Sequence, residues 1–239
     1  MLRRKKETPQ YFIENQCFIG VSQYLFVEKI CFEARQKVEI TSVILSPKKT
    51  IVRELEKYVQ ENFPDELEIV RRDFANESPR LSDAEKTIIY KYSDDDFTFV
   101  GVNKVLRDSE GLNVPEFAKY LNIALSKLPK TKGIPTYRGI EKADIDFEKL
   151  VYAYENKTLW TDYGFFSTSR NRIIADSYGD LIFIVSGKNA KSIEKISKFG
   201  AGNLENEEEV LFKSGTSFKI LDISIRRNQT VIKLREYQI

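Results

Sequence analysis

The apolar residues change period part-way along the chain, and that change limits the fold more than any other feature. Between Ser46 and Pro129 they recur at helical spacing; after it they fall into the short runs that strands require. Ser46-Pro47 opens a helix with a capping hydroxyl and a proline in the first turn. Ile51, Leu55, Tyr58, Val59 and Phe63 follow on one face, and Pro64 ends it. Ser82 and Glu85 form a capping box, each side chain satisfying a backbone N–H at the next helix start. Residues 99–107 read as a second short helix in this region. Asn113-Val114-Pro115 opens a third, which turns Phe117, Leu121, Ala124, Leu125 and Leu128 inward. Strands are expected at 135–140, 164–169, 181–187, 209–213, 217–225 and 230–237, the last two joined as a hairpin around residues 226–229. Helices followed by short strands predict an α+β domain with a sheet rich in antiparallel pairs. A β-branched run at 38–45 reads as a further strand. The polar segment 68–80, with Pro79, reads as a soft boundary between a small N-terminal lobe (1–78) and the main domain (79–239).

Composition removes whole classes of chemistry. The chain has 239 residues and no histidine, so imidazole-based nucleophilic sites and histidine-ligated metals are excluded. Two cysteines, Cys17 and Cys31, cannot build a four-cysteine zinc site and match no redox spacing; they read as buried thiols. No metal is implied. The net charge of +2 predicts neither a nucleic-acid nor a membrane partner. The longest apolar-rich stretch, residues 18–32, is broken by Glu28 and Lys29, so no membrane span is expected. The basic cluster Arg3 to Lys6 is not followed by an uninterrupted apolar run, so no secretory signal is legible.

Three fragments in the strand-rich half can carry chemistry: Tyr137-Arg138-Gly139, Phe166-Ser167-Thr168-Ser169, and Glu207-Glu208-Glu209-Val210-Leu211. Each alone is ordinary: a surface arginine, a Ser/Thr turn, a solvated acidic run. Glu209, however, runs directly into Val-Leu-Phe. A carboxylate one residue from an apolar strand sits at a strand edge or in a cleft, where its ionisation matters.

Taken in order, the fragments resemble the R-S-E class of mono-ADP-ribosyltransferases, which includes clostridial binary-toxin enzymes and arginine-specific bacterial effectors. The resemblance spans roughly residues 80–239. It extends to Leu81-Ser82 with Glu85, Ile88 and Tyr92, to Val102-Asn103 with Leu106-Arg107, and to the helix ending Leu128-Pro129 before Tyr-Arg-Gly. It closes on Glu-Val-Leu-Phe followed by Gly215-Thr216-Ser217-Phe218. The fold it implies is the ADP-ribosyltransferase one, N-terminal helices packed on a split, antiparallel-rich sheet.

The resemblance also implies roles. NAD⁺ is the substrate. Arg138 offers a cationic fork to its phosphate and ribose oxygens, and Gly139 lets the backbone approach the nicotinamide amide. Glu209 stabilises the oxocarbenium-like charge that develops as nicotinamide leaves, and Ser167 orients Glu209. Thr168 and Ser169 support the fold around them. Glu207, two residues before Glu209 on an extended segment, would share its side and serve as the base for an arginine acceptor. Glu208 would point the other way. Glu205 is also acidic, and only Val210-Leu211 sets the register preferred here. Phe183 sits where the family often places an aromatic against nicotinamide, although the residue pattern equally allows a core phenylalanine. Arg170 could reach a phosphate, Phe199 and Leu204 could touch a protein substrate, and Trp160 and Tyr163 read as packing. Action in a cytoplasm is expected, by a chain made there or delivered by injection or signal-independent export. The rivals are an NAD⁺ glycohydrolase, transfer to another amino acid or to nucleic acid, and a non-catalytic binding module.

Overall fold

The computed structural model describes residues 47–239, apart from 95–97, 132, 205, 227 and 238–239. The strand expected at 38–45, the Ser46 cap, both cysteines and Glu205 lie outside the described residues. A compact unit runs from Val52 to Ile239, so it begins upstream of the boundary expected at residue 79. The reason is in the first two helices, α1 (Pro47–Asn62) and α2 (Pro64–Asp73). Leu55 and Val59 of α1 and Leu67 of α2 belong to the same core as the helices that follow. The segment around residues 68–73, expected as a polar connection, is helical. Pro64 starts it, Asp65 and Glu66 sit in the first turn and Arg71 and Arg72 in the last, all favourable to the helix dipole. Leu67 and Val70, three residues apart, are its buried contacts.

The capping box forms as expected at α3 (Asp83–Tyr92): Glu85 N–H donates to Ser82 Oγ at 3.3 Å, and Ser82 N–H donates to Glu85 Oε2 at 2.9 Å. The buried Lys86 Nζ donates to the carbonyls of Phe74 and Ala75, both at 2.9 Å, tying α3 to the segment that follows α2. Helices α4 (Thr98–Asp108) and α5 (Glu116–Lys127) complete this layer, and the expected α5 positions Phe117, Leu121, Ala124 and Leu125 are buried.

The rest of the unit is a sheet with two further helices: β1 (Thr136–Ile140), α6 (Phe147–Glu155), β2 (Leu159–Asp162), β3 (Phe166–Ser169), α7 (Arg172–Asp176), β4 (Leu181–Ser186), β5 (Lys191–Ser192), β6 (Glu209–Phe212), β7 (Thr216–Arg226) and β8 (Gln229–Glu236). The strand order is β2-β7-β8-β4-β1-β3-β6-β5, and every neighbouring pair is antiparallel except β4 with β8. The hairpin expected around 226–229 joins β7 and β8. Its turn holds Asn228 at a φ of 68°, a conformation asparagine tolerates better than most residues.

The join between β1 and β3 is the thin place in this sheet. They pair only at Tyr137 with Ser169, whereas β1 and β4 pair along the whole of β1. The sheet is split there, and the candidate residues gather at the split.

Strand β6 shows how the two cores are divided. Val210 and Phe212 pack into the core formed with Phe166, Phe183, Phe218 and Ile232, while Leu211 packs into the helical core with Phe165, Leu121 and Leu125. By the same alternation Glu209 shares its face with Leu211, on the helical side. Its cross-strand partner is Ser169, and Leu211 faces Ser167.

Candidate active site

Glu209 starts β6 with its side chain almost out of water, 6% exposed. Ser167 lies diagonally across the ladder on the same face, a distance that a short hydroxyl can close. Its Oγ donates to Glu209 Oε1 at 2.7 Å. Burial pushes the Glu209 carboxyl up to about 7. The Ser167 hydrogen bond pulls the other way, the neighbouring Glu207 charge pushes further up, and Arg138 opposes it.

Arg138 fills the gap where β1 and β3 part. The strands no longer pair at Ser167, and Arg138 Nη1 donates to the Ser167 carbonyl at 2.9 Å. Its guanidinium lies 5.0 Å from the centre of the Phe166 ring, a cation–π distance. Burial holds its pKa below the usual arginine value, with Asp162 the first of the opposing charges. A guanidinium in this setting, with five donors and one carbonyl partner among the described residues, is suited to an anionic ligand.

The other two residues of the Ser-Thr-Ser run hold β6 and the loop before it. Thr168 Oγ1 donates to the Val210 carbonyl at 2.7 Å, and Ser169 Oγ to the Glu207 carbonyl at 2.6 Å.

Glu207 does not arrive as expected. The strand begins at Glu209, and Glu208 has a φ of 48°, in the left-handed region. The segment is therefore a turn, and the period-of-two argument for a shared face fails. The turn nevertheless brings Glu207 and Glu209 to one cavity. Glu207 is less buried, and Oε1 accepts from the Tyr178 hydroxyl at 2.7 Å. Glu208 does not line the cavity.

That cavity, of about 780 Å³, lies over the split. It is lined by Arg138, Gly139, Ser167, Glu207 and Glu209, so five of the six expected site residues meet there. The size suits a ligand larger than a single sugar. Gly139 has a packing duty as well: a Cβ there would lie 1.8 Å from the Ala175 carbonyl oxygen of α7.

Phe183 is the residue that does not meet them. It is fully buried and stacks on Trp160 at 5.9 Å with the rings 8° from parallel. Its side of β4 faces the core, so the placement against nicotinamide is corrected to a core role. Arg170 also lies elsewhere: its guanidinium binds Glu194 and Ser192 rather than the cavity. Phe199 lines the cavity, whereas Leu204 is fully exposed on the loop. Trp160 packs against Phe166, Phe183 and Phe218, as expected.

Two contributors carry no site signal in the sequence. Tyr178, after α7, is one; a lone loop tyrosine points to nothing. Arg107 is the other, legible only as half of a Leu-Arg pair on a helix. It forms a two-pronged bridge with buried Asp162 at 2.8 and 2.9 Å and lines the cavity. Asn103, one turn before Arg107 on α4, accepts from Phe165 N–H at 2.8 Å and donates to the Tyr92 hydroxyl at 3.0 Å.

Relatives share this arrangement of helices and sheet. ADP-ribosyltransferase HopU1 of Pseudomonas syringae pv. tomato superposes with a TM-score of 0.61 at 21% identity, covering 73% of this chain and 87% of that one. Exoenzyme S of Pseudomonas aeruginosa, solved with human 14-3-3 protein beta and carba-NAD, gives 0.60 at 22% identity, covering 77% and 88%. The C3 exoenzyme of Clostridium limosum gives 0.53 at 20% identity, covering 74% and 95%. No curated protein sequence is a significant match. The family model for the ADP-ribosyltransferase exoenzyme matches residues 54–238, most of the chain, and the chain belongs to that family.

Proposed function

We propose that this chain is an NAD⁺-dependent mono-ADP-ribosyltransferase whose acceptor is an arginine side chain of a protein. The observation that carries the reading is one cavity whose acidic lining includes Glu209 and Glu207 in unlike settings beside the part-buried Arg138. Glu209 is buried and fixed by Ser167, and Glu207 stands further out, held by Tyr178.

The two settings suit two tasks. Breaking the nicotinamide–ribose bond puts positive charge on the sugar, and a preorganised carboxylate in a dry site stabilises that charge as it forms. Glu209 is assigned that task. Arg138 and Arg107 supply positive charge for the diphosphate. An arginine guanidinium attacks only after losing a proton, and the less buried Glu207 is the base this reading assigns to take it. That exoenzyme S holds carba-NAD on the same fold supports NAD⁺ as the ligand. The residues before α1 are left for target selection or delivery, and action in a host cytoplasm after injection fits the type III effector that shares the fold.

The test is labelling. Purified protein is incubated with NAD⁺ labelled on the adenylate and a cell lysate. A discrete labelled band that neutral hydroxylamine removes is the expected outcome, since that reagent cleaves ADP-ribosyl-arginine. Free ADP-ribose with no labelled protein would assign the activity to NAD⁺ hydrolysis instead.

A further inference from the structure

The loop between β5 and β6 delivers both carboxylates, and its shape hangs on a third that does not line the cavity. Glu194 Oε1 accepts from Asn206 Nδ2 at 3.0 Å, and Oε2 accepts from the Arg170 guanidinium. The Glu194 carbonyl accepts from Ala201 N–H at 2.9 Å. Gly200 lies so close to it that a Cβ would be 1.8 Å from the oxygen. Asn206 Oδ1 in turn accepts from Glu208 N–H at 2.9 Å, and Arg170 N–H donates to the Glu208 carbonyl at 3.2 Å. Both peptide groups of Glu208 are therefore taken. Glu208 needs that hold, because its φ of 48° costs energy for a side chain of its kind. The turn it makes is what sets Glu207 beside Glu209.

Stability alone is a poor account of this arrangement. A part-buried ion pair contributes little net stability unless its remaining donors are satisfied. The buried Nε of Arg170 finds no partner among the described residues.

We propose that Glu194, bracketed by Arg170 and Asn206, is a positioning residue. It fixes the Glu207 carboxylate relative to Glu209 and so sets how ADP-ribose is shared between a guanidino acceptor and water. The proposal rests on the reading of Glu207 as the acceptor's base. In both outcomes the same C1′–nicotinamide N bond breaks and neutral nicotinamide leaves. In transfer a guanidino N–C1′ bond forms and the proton goes to Glu207; in hydrolysis a water oxygen bonds C1′ and its proton goes to solvent. Only the first uses Glu207 as the proton acceptor.

The experiment measures both products in the full chain, with agmatine as a small guanidino acceptor. Asn206→Ala should lower kcat/KM for agmatine by between about ten- and a hundredfold. Nicotinamide release without acceptor should stay within about twofold, and Tm within about 2 °C. Asn206→Asp keeps an oxygen for Glu208 N–H but sets a charge against Glu194, and it should fail similarly. Adding Glu194→Gln, which restores a donor between the two, should recover most of the transfer. Equal losses of transfer and hydrolysis in Asn206→Ala, or no loss of transfer, would overturn the proposal. Glu207→Gln in parallel separates the two claims. If it abolishes transfer while Asn206→Ala does not, the positioning role alone is wrong. If transfer survives Glu207→Gln, the reading of Glu207 fails and takes the positioning role with it.

Discussion

At the scale of single residues, the site works by giving like groups unlike surroundings. Glu209 and Glu207 are the same side chain two positions apart, yet burial pushes Glu209 up to about 7 while Glu207 is only part-buried. If the ionised Glu209 is the working form, kcat/KM for NAD⁺ cleavage should climb with pH through a limb near 7. Glu207→Gln removes a charge that raises Glu209, so it should shift that limb toward lower pH, and a pH–rate profile of both proteins checks it. The same shift has a stability consequence. The folded state holds the Glu209 proton more tightly than the unfolded chain, whose carboxyl has a value near 4.5. That contribution is complete below the unfolded value and is lost as pH rises through about 7, amounting to roughly 3 kcal/mol. Glu209→Gln should thus gain Tm over wild type between about pH 5 and pH 8, a difference calorimetry resolves. Gly139 tests packing: Gly139→Ala forces a Cβ against the Ala175 backbone and should cost at least about 1–3 kcal/mol in denaturant unfolding.

At the scale of elements, legibility followed local physics. The capping box at Ser82, the inward face of α5 and the strands β3, β4 and β6 were readable because each is set by neighbours in sequence. Helix α2 was not, because its apolar face is only Leu67 and Val70 and its charges resemble a connection. The Glu207 geometry was not legible either. The turn at Glu208 is imposed by Arg170 and Asn206, and side-chain hydrogen bonds across sequence leave no periodic trace. Phe183 illustrates the converse: it shares the core face of β4 with Leu181 and Val185, and a strand apolar on both faces has no alternation to say which face meets the core. Arg107 belongs to this scale, because its bridge to Asp162 joins α4 to the end of β2. Asp162→Asn should weaken that join by about 1–2 kcal/mol, one partner being partly exposed. It should also raise KM for NAD⁺ more than it lowers kcat.

At the scale of the molecule, the α+β class and the helices-then-sheet order were visible in the switch of period near Pro129. The extent of the domain was harder to see, because α1 and α2 join the helical core through few residues. A chain of residues 47–239 should fold cooperatively and keep NAD⁺ cleavage. A chain of 79–239, which loses Leu55, Val59 and Leu67 from that core, should be strongly destabilised; circular dichroism on heating compares them. The split sheet then explains the site: pairing between β1 and β3 stops after Tyr137 and Ser169, and Arg138, Ser167 and Glu209 converge where it stops. The most direct test of that division of labour is the ratio of agmatine modified to nicotinamide released in wild type, Glu207→Gln and Glu209→Gln. Both products should fall on the order of 10²–10³-fold or more in Glu209→Gln. In Glu207→Gln transfer should be lost while nicotinamide release persists. Transfer and release falling together in Glu207→Gln, or cleavage surviving in Glu209→Gln, would contradict it.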